Sequence, residues 1–317
     1  MQDEGTVTPP PSPPPTSPPP STTGSIAAGI SVEGFPQGGA RALDDVNNLA
    51  GRQHKVVLWF QDLATDYYNP TYVDMVYARG AMPVVTSQPR LWNPNGPPSG
   101  HSLDQINAGE TDWYYNEYFK RVAAHGRPFY FRLMQEIDKP FFPWGQGVGS
   151  NTPAKFVRAW KRIHGIAQAQ GATNAKFVWC PDWTITSTQA ASLYPGSSYV
   201  DWIAIDGYNW GNAESWSSWK SLGQVFGPAH DVLSPYGKPM FIAETASVES
   251  GGSKAQWIEQ AYLNDVHTRL PKVKAIVWFN YSGYYAEGRD WRINSSESSL
   301  AAYKKVMQDP KTQGTLP

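Results

Sequence analysis

The sequence predicts an α/β protein built as a single (β/α)8 TIM barrel, and three observations lead there. From about Ser25 onward, strand-like apolar runs alternate eight times with amphipathic helical stretches, the pattern of βα units around a parallel sheet. Two of the predicted strands carry a glutamate close to their C-terminal end, Glu136 and Glu244, where a barrel assembles its chemistry. No GxGxxG turn follows the first strand, which counts against the runner-up, a doubly wound open sheet.

Taken in order, the predicted strands are Ala27 to Gly34, Lys55 to Leu63, Met82 to Gln88, Pro128 to Asp138, Ala175 to Trp183, Val200 to Trp210, Pro239 to Ser247 and Val273 to Tyr281. Helical patterns between them include Thr111 to His125, Thr152 to Gln170 and Ser253 to Arg269. Thr152 stands where an N-cap is needed, with Pro153 in the first helical position; Gly126 and Gly171 stand where helices stop. Ahead of the barrel, Thr8 to Thr23 read TPPPSPPPTSPPPSTT. Such a tract stays extended as polyproline II and cannot bury apolar surface. Residues 1–24 are therefore read as a disordered linker and 25–317 as one catalytic domain.

The 26 Lys and Arg balance 27 Asp and Glu, so overall charge draws the chain to neither nucleic acid nor an anionic membrane. A neutral substrate fits better. The single cysteine, Cys180, allows no intrachain disulfide, and the six histidines show no HExxH spacing. No apolar run is long enough to cross a bilayer. The expectation is a soluble protein without metal or cofactor. Aromatic residues reach 14%, with 14 Trp and 17 Tyr, more than a barrel needs for packing, and flat rings stack on the apolar faces of pyranose sugars.

Strand four runs PFYFRLMQE to Glu136 and strand seven runs KPMFIAE to Glu244. A carboxylate after so apolar a strand is costly to bury unpartnered, so each should reach the mouth and be engaged there. An arginine such as Arg132 could pair with either merely to hold the rim. Two strand-end glutamates on opposite sides of one barrel, however, meet the two-carboxylate requirement of glycoside hydrolysis.

The runs FRLMQEIDKPFFPWGQGVGSNTPAKFVRAWKRIHGI, KFVWCPDW, YVDWIAIDGYNWG, KPMFIAETAS and AIVWFNYSGYYAEGRDWRINSS resemble glycoside hydrolase family 26, in order, over most of residues 125 to 300. Its members are mainly endo-β-1,4-mannanases, with some mixed-linkage β-glucanases and β-1,3-xylanases. The resemblance implies a retaining double displacement, with Glu136 as acid/base and Glu244 as nucleophile, their carboxyls about 5–5.5 Å apart. It also implies substrate-binding roles. Arg132 would hold a nearby carboxylate ionised, and Tyr208, in DGYNWG beside Asp206, Asn209 and Trp210, would position the nucleophile. Trp278 would floor the sugar being cleaved; Phe141, Phe142 and Trp144 would form an aromatic wall on the leaving-group side, which Trp183 extends.

Two positions depart from the family's HExN pattern: Gln135 replaces the histidine and Asp138 the asparagine. Glutamine still donates a hydrogen bond to a sugar but carries no charge. A charge on Asp138 would raise the pKa of Glu136. Thr86-Ser87-Gln88, at the end of strand three, lacks the large ring or histidine of many relatives. The substrate expected first is mannan, glucomannan or galactomannan, with mixed-linkage β-glucan the competitor, because the changed positions are those that discriminate a 2-hydroxyl. A non-catalytic carbohydrate-binding barrel and a transglycosylase are the other readings. The linker and the substrate imply secretion and a binding module or signal segment upstream of Met1, although no signal peptide opens the sequence. A monomer is expected.

Overall fold

A computed structural model describes residues 24–63, 67–91, 99–283 and 288–317; the tract from Thr8 to Thr23 lies outside the described residues. Eight parallel strands close into a barrel: β1 (Ala27–Val32), β2 (Val56–Asp62), β3 (Met82–Gln88), β4 (Phe129–Leu133), β5 (Ala175–Trp179), β6 (Trp202–Asp206), β7 (Met240–Thr245) and β8 (Val273–Asn280). Each pairs with its neighbours in sequence, and β1 closes the ring against β8 from Ala27↔Ala275 to Val32↔Asn280.

The alternation of side chains along a strand divides the core in two. Ala27, Leu58, Val84, Tyr130, Val178, Ala204, Phe241, Ala243, Ala275 and Val277 fill the barrel interior. Their sequence neighbours, among them Ile30, Trp59, Val85, Phe131, Phe177, Ile205, Ile242, Ile276 and Trp278, face outward and pack under the helices. At Gly29 an interior side chain would stand 2.8 Å from the Val56 Cβ, so only glycine lets β1 approach β2 there. The C-terminal tail closes the bottom: Gly314 N–H donates to the Ile26 carbonyl at 2.9 Å, and the Tyr130 hydroxyl donates to the Pro317 carbonyl at 2.9 Å.

The outer layer includes α4 (Asp112–His125), α5 (Pro153–Ala169), α7 (Leu222–Leu233), α8 (Lys254–Gln260), α9 (Val266–Arg269) and α10 (Glu297–Gln308), with α1 (Ala40–Ala50), α2 (Pro70–Tyr77), α3 (Leu103–Ala108) and α6 (Ser187–Leu193) completing it among the described residues. Thr152 caps α5, its hydroxyl accepting from Lys155 N–H, with Pro153 in the first turn, as the sequence predicts. Gly126 ends α4 in the left-handed conformation, φ 75°. The helix predicted over Ser253 to Arg269 is interrupted: α8 passes through a π turn, Ala261–Asp265, into α9.

The clearest departure from the sequence reading is at strand four, which stops at Leu133 rather than running to Asp138. Met134 and Glu136 both adopt left-handed backbone, φ 48° and 52°, a region that non-glycine residues rarely enter and that no strand can contain. Arg132 and Glu136 therefore do not share a strand face.

Candidate active site

The interior alternation carries straight into the site. Tyr130, Val84, Ala204, Leu58 and Val277 point inward, so two residues further on Arg132, Thr86, Asp206, Phe60 and Phe279 also point inward, at the C-terminal mouth. Arg132 is fully buried among them. Its Nε donates to Thr86 Oγ1 at 2.7 Å, one terminal nitrogen donates to both Asp206 oxygens at 2.8 and 2.6 Å, and the other donates to Glu244 Oε1. A buried guanidinium demands such partners.

Glu244 reaches this group through an irregularity that alternation does not foresee. Phe241 and Ala243 already face inward, so a regular strand would turn Glu244 outward. The register shows one extra residue in β7: Ile205 pairs with Ile242, but Asp206 pairs with Glu244. The same shift occurs toward β8, where Ile276↔Ile242 is followed by Trp278↔Thr245. Such a bulge re-aims a side chain, and here it delivers Glu244 to the mouth. Its second oxygen accepts from the Tyr208 hydroxyl at 2.7 Å.

Glu136 stands on the left-handed turn after β4. The turn is pinned on both sides, by Met134 N–H to the Ser87 carbonyl at 3.1 Å and Glu136 N–H to the Cys180 carbonyl at 2.8 Å. Backbone held in this region stores strain, and strain of this kind gathers at functional sites. Burial raises the Glu136 pKa well above the ordinary carboxylate value; the nearby carboxylates Asp206, Glu244 and Asp182 push it the same way, against Arg132. The two glutamates thus sit in different settings: one is held by an arginine and a tyrosine, the other has its pKa raised, which favours its protonated form. Burial first, then Glu244, pushes the Tyr208 hydroxyl well above its ordinary value, so it remains a donor.

The other predicted residues divide. Gln135 is buried beside Glu136, and its Oε1 has no hydrogen-bond partner among the described residues. Phe141 is 61% exposed on the loop after β4. Trp183, half-buried, carries the Lys220 ammonium 4.6 Å above its ring. Trp144 is fully buried: its indole N–H donates to the Gln135 carbonyl at 2.9 Å and its ring stacks on Phe142 at 4.8 Å. It supports the Glu136 turn from beneath and is no part of an open wall. Nearby, a Cβ at Gly145 would stand 2.0 Å from the Lys139 carbonyl, so the loop folds this tightly only with glycine.

Trp278 is also placed differently. It faces outward from β8, fully buried against Trp257 and Tyr303, and donates its indole N–H to the Trp291 carbonyl at 2.8 Å. Its neighbour Phe279 is the interior residue, packed against Phe60, Tyr208 and Tyr281. From Phe279 a continuous set of rings leads outward through Tyr208, Trp291 and Trp210 to Trp216, the last 66% exposed. Asn209 organises that rim, donating to Ser247 Oγ at 2.9 Å and accepting from Lys220 N–H at 2.9 Å. Asp138 accepts from Asp182 N–H at 2.8 Å, and the Asp182 carboxylate is among those that raise the Glu136 pKa.

Among the described residues no group of three or more His, Cys, Asp or Glu is placed to hold a metal ion. The sequence model of Glycosyl hydrolase family 26 matches residues 107–277, just over half of the chain. The chain belongs to glycosyl hydrolase family 26. The matched span contains both site glutamates and five of the eight barrel strands in whole or part, β4 to β8. A relative in Acetivibrio thermocellus, endoglucanase H, is 37% identical over 273 residues, which cover 84% of this chain. The chain spans only 29% of that protein's length. Two solved structures are similar in fold: a GH26 β-mannanase from Bacteroides ovatus (TM-score 0.67, 18% identity, 91% of this chain and 90% of that one) and an endo-β-1,4-mannanase double mutant from Cellulomonas fimi (0.69, 18%, 92% and 72%).

Proposed function

We propose that this family 26 barrel is a retaining endo-glycoside hydrolase of a neutral β-linked plant polysaccharide, with Glu136 as acid/base and Glu244 as nucleophile. One observation carries the catalytic assignment. Two carboxyl groups share one mouth, one engaged by Arg132 and Tyr208 and the other with its pKa raised by burial and neighbouring carboxylates. In the first step Glu244 attacks the anomeric carbon while Glu136 delivers its proton to the departing oxygen; in the second, Glu136 takes a proton from water, which displaces Glu244.

For the polysaccharide we favour β-glucan over the mannan expected first. The 37% identical relative is named an endoglucanase, whereas the likeness to mannanases at 18% speaks for fold alone. Gln135, whose buried Oε1 has no hydrogen-bond partner among the described residues, adds an acceptor beside the acid/base that a sugar hydroxyl can satisfy. The Pro/Ser/Thr tract, together with a polysaccharide substrate, supports secretion and a partner module.

The test is reducing-sugar release from barley mixed-linkage β-glucan, lichenan, carboxymethyl cellulose, glucomannan, galactomannan and β-1,3-xylan, beside Glu244→Ala. Release from the glucans, absent in the variant, supports the reading. Release from mannans alone restores the mannanase reading, and binding without release by either protein supports a carbohydrate-binding barrel.

A further inference from the structure

We propose that Lys254 is a positioning residue for the reaction: its ammonium holds the 290–295 turn so that Trp291 packs against Tyr208 and steadies the tyrosine's hydrogen bond to Glu244. The inference rests on the reading of Glu244 as nucleophile.

Lys254 is fully buried at the first turn of α8. Its place in the helix and its burial both disfavour a cation. The positive end of the helix dipole opposes it, and burying an ammonium is costly without strong partners. Its partners are neutral oxygens from one short stretch: the Arg292 carbonyl at 2.8 Å, Ser295 Oγ at 2.7 Å and the Asp290 carbonyl at 3.5 Å. Ser295 in turn donates to Glu249 at 2.7 Å, so the nearest carboxylate is one hydroxyl removed. The ammonium also lies 5.6 Å from the Trp278 ring. Burial lowers the lysine's pKa to about 8, with Glu249 and Asp290 opposing and Arg292 assisting.

Two further contacts grip the same turn. Trp278 donates to the Trp291 carbonyl at 2.8 Å, and Asn280 Oδ1 accepts from Ile293 N–H at 2.8 Å. The gripped residue between them, Trp291, stands 5.2 Å from Tyr208 and 5.1 Å from Trp210, ring to ring. Tyr208 then donates to Glu244. A costly buried cation that fixes the residue behind the nucleophile's hydrogen-bond donor is accounted for by placement of that donor; an apolar side chain in the first turn of α8 would serve packing alone at lower cost.

The experiment is a double-mutant cycle of Lys254→Met and Tyr208→Phe on an activated aryl glycoside, with amide hydrogen exchange on the same proteins. If Lys254 acts through Tyr208, Lys254→Met lowers kcat by about tenfold with little change in KM, and adding it to Tyr208→Phe costs almost nothing more. Exchange should quicken in 290–295 and 208–210 and stay unchanged in α4. Effects that multiply in the cycle, or a 290–295 turn that exchanges as in the wild type, overturn the proposal. Should Lys254→Met fail to fold, Ser295→Ala removes one acceptor and is read the same way. A wild-type protein that turns over no glycoside refutes the proposed function instead, and the exchange result still decides whether Lys254 holds the turn.

Discussion

The Tyr208 hydroxyl donates to Oε2 of Glu244 across 2.7 Å, while Arg132 occupies Oε1 of the same carboxylate. Both oxygens are therefore engaged before substrate arrives, which fixes the carboxylate's orientation toward the mouth. Tyr208→Phe removes one of the two anchors without changing ring packing. A hydrogen bond to a charged group contributes about 1.5–3 kcal/mol, so kcat should fall about 10–100-fold. Steady-state kinetics check this; a loss under twofold would remove Tyr208 from the positioning role.

Glu136 supplies the proton for the leaving group. Glu136→Gln should slow polysaccharide turnover by about 10²–10⁴-fold while sparing the glycosylation step of activated aryl glycosides, which depart without a proton. Pre-steady-state burst kinetics separate the two. Because its pKa is raised, the wild type should lose glycosylation activity as pH climbs through that value, and the variant should lack this alkaline limb. Equal slowing of both substrate types would take the acid role away from Glu136.

Asp138 offers a stability test. Burial lifts its pKa from 3.8 to about 6. A carboxyl whose folded-state value is raised contributes stability below the unfolded value and loses it as pH rises toward the folded one. Asp138→Asn keeps the acceptor for Asp182 N–H and carries no charge to bury. It should exceed the wild type in unfolding free energy by about 1–3 kcal/mol at pH 7, with the gain vanishing below about pH 4. Denaturant melts at both pH values decide; a variant less stable at pH 7 contradicts the account.

Trp278 and Phe279 are adjacent and face opposite ways. Trp278→Ala opens the layer between β8 and the helices and should cost about 3–5 kcal/mol of stability. Phe279→Ala, at the mouth, should chiefly raise KM for polysaccharide. Thermal melts and saturation kinetics on the two variants tell these apart, and the reverse pattern would invert the placement.

Much of this was legible in the sequence. Eight apolar runs gave the barrel, and Arg132, Glu136, Tyr208 and Glu244 do converge on one mouth. What escaped was parity and irregularity. The family resemblance implies Trp278 as the floor, although Ala275 and Val277, the small and branched interior residues, already place Phe279 inward. Trp144 looked like an exposed wall because nothing local announces its bond to the Gln135 carbonyl. The left-handed turn at Met134 and Glu136 and the bulge before Glu244 depend on partners far along the chain, Ser87, Cys180 and Asp206 among them. Local pattern does not encode them. Asp206 and Thr86 as the partners of Arg132 follow once the interior alternation is counted, and could have been found that way.

A retaining mechanism requires that Glu244 become covalently glycosylated. The direct measurement is incubation with a 2-deoxy-2-fluoro-β-cellobioside bearing a dinitrophenyl leaving group, followed by peptide mass analysis. Inactivation should leave one sugar per chain, on the peptide carrying Glu244 and absent from Glu244→Ala. Turnover of polysaccharide with inversion and no trapped sugar, or a label on another residue, would contradict it.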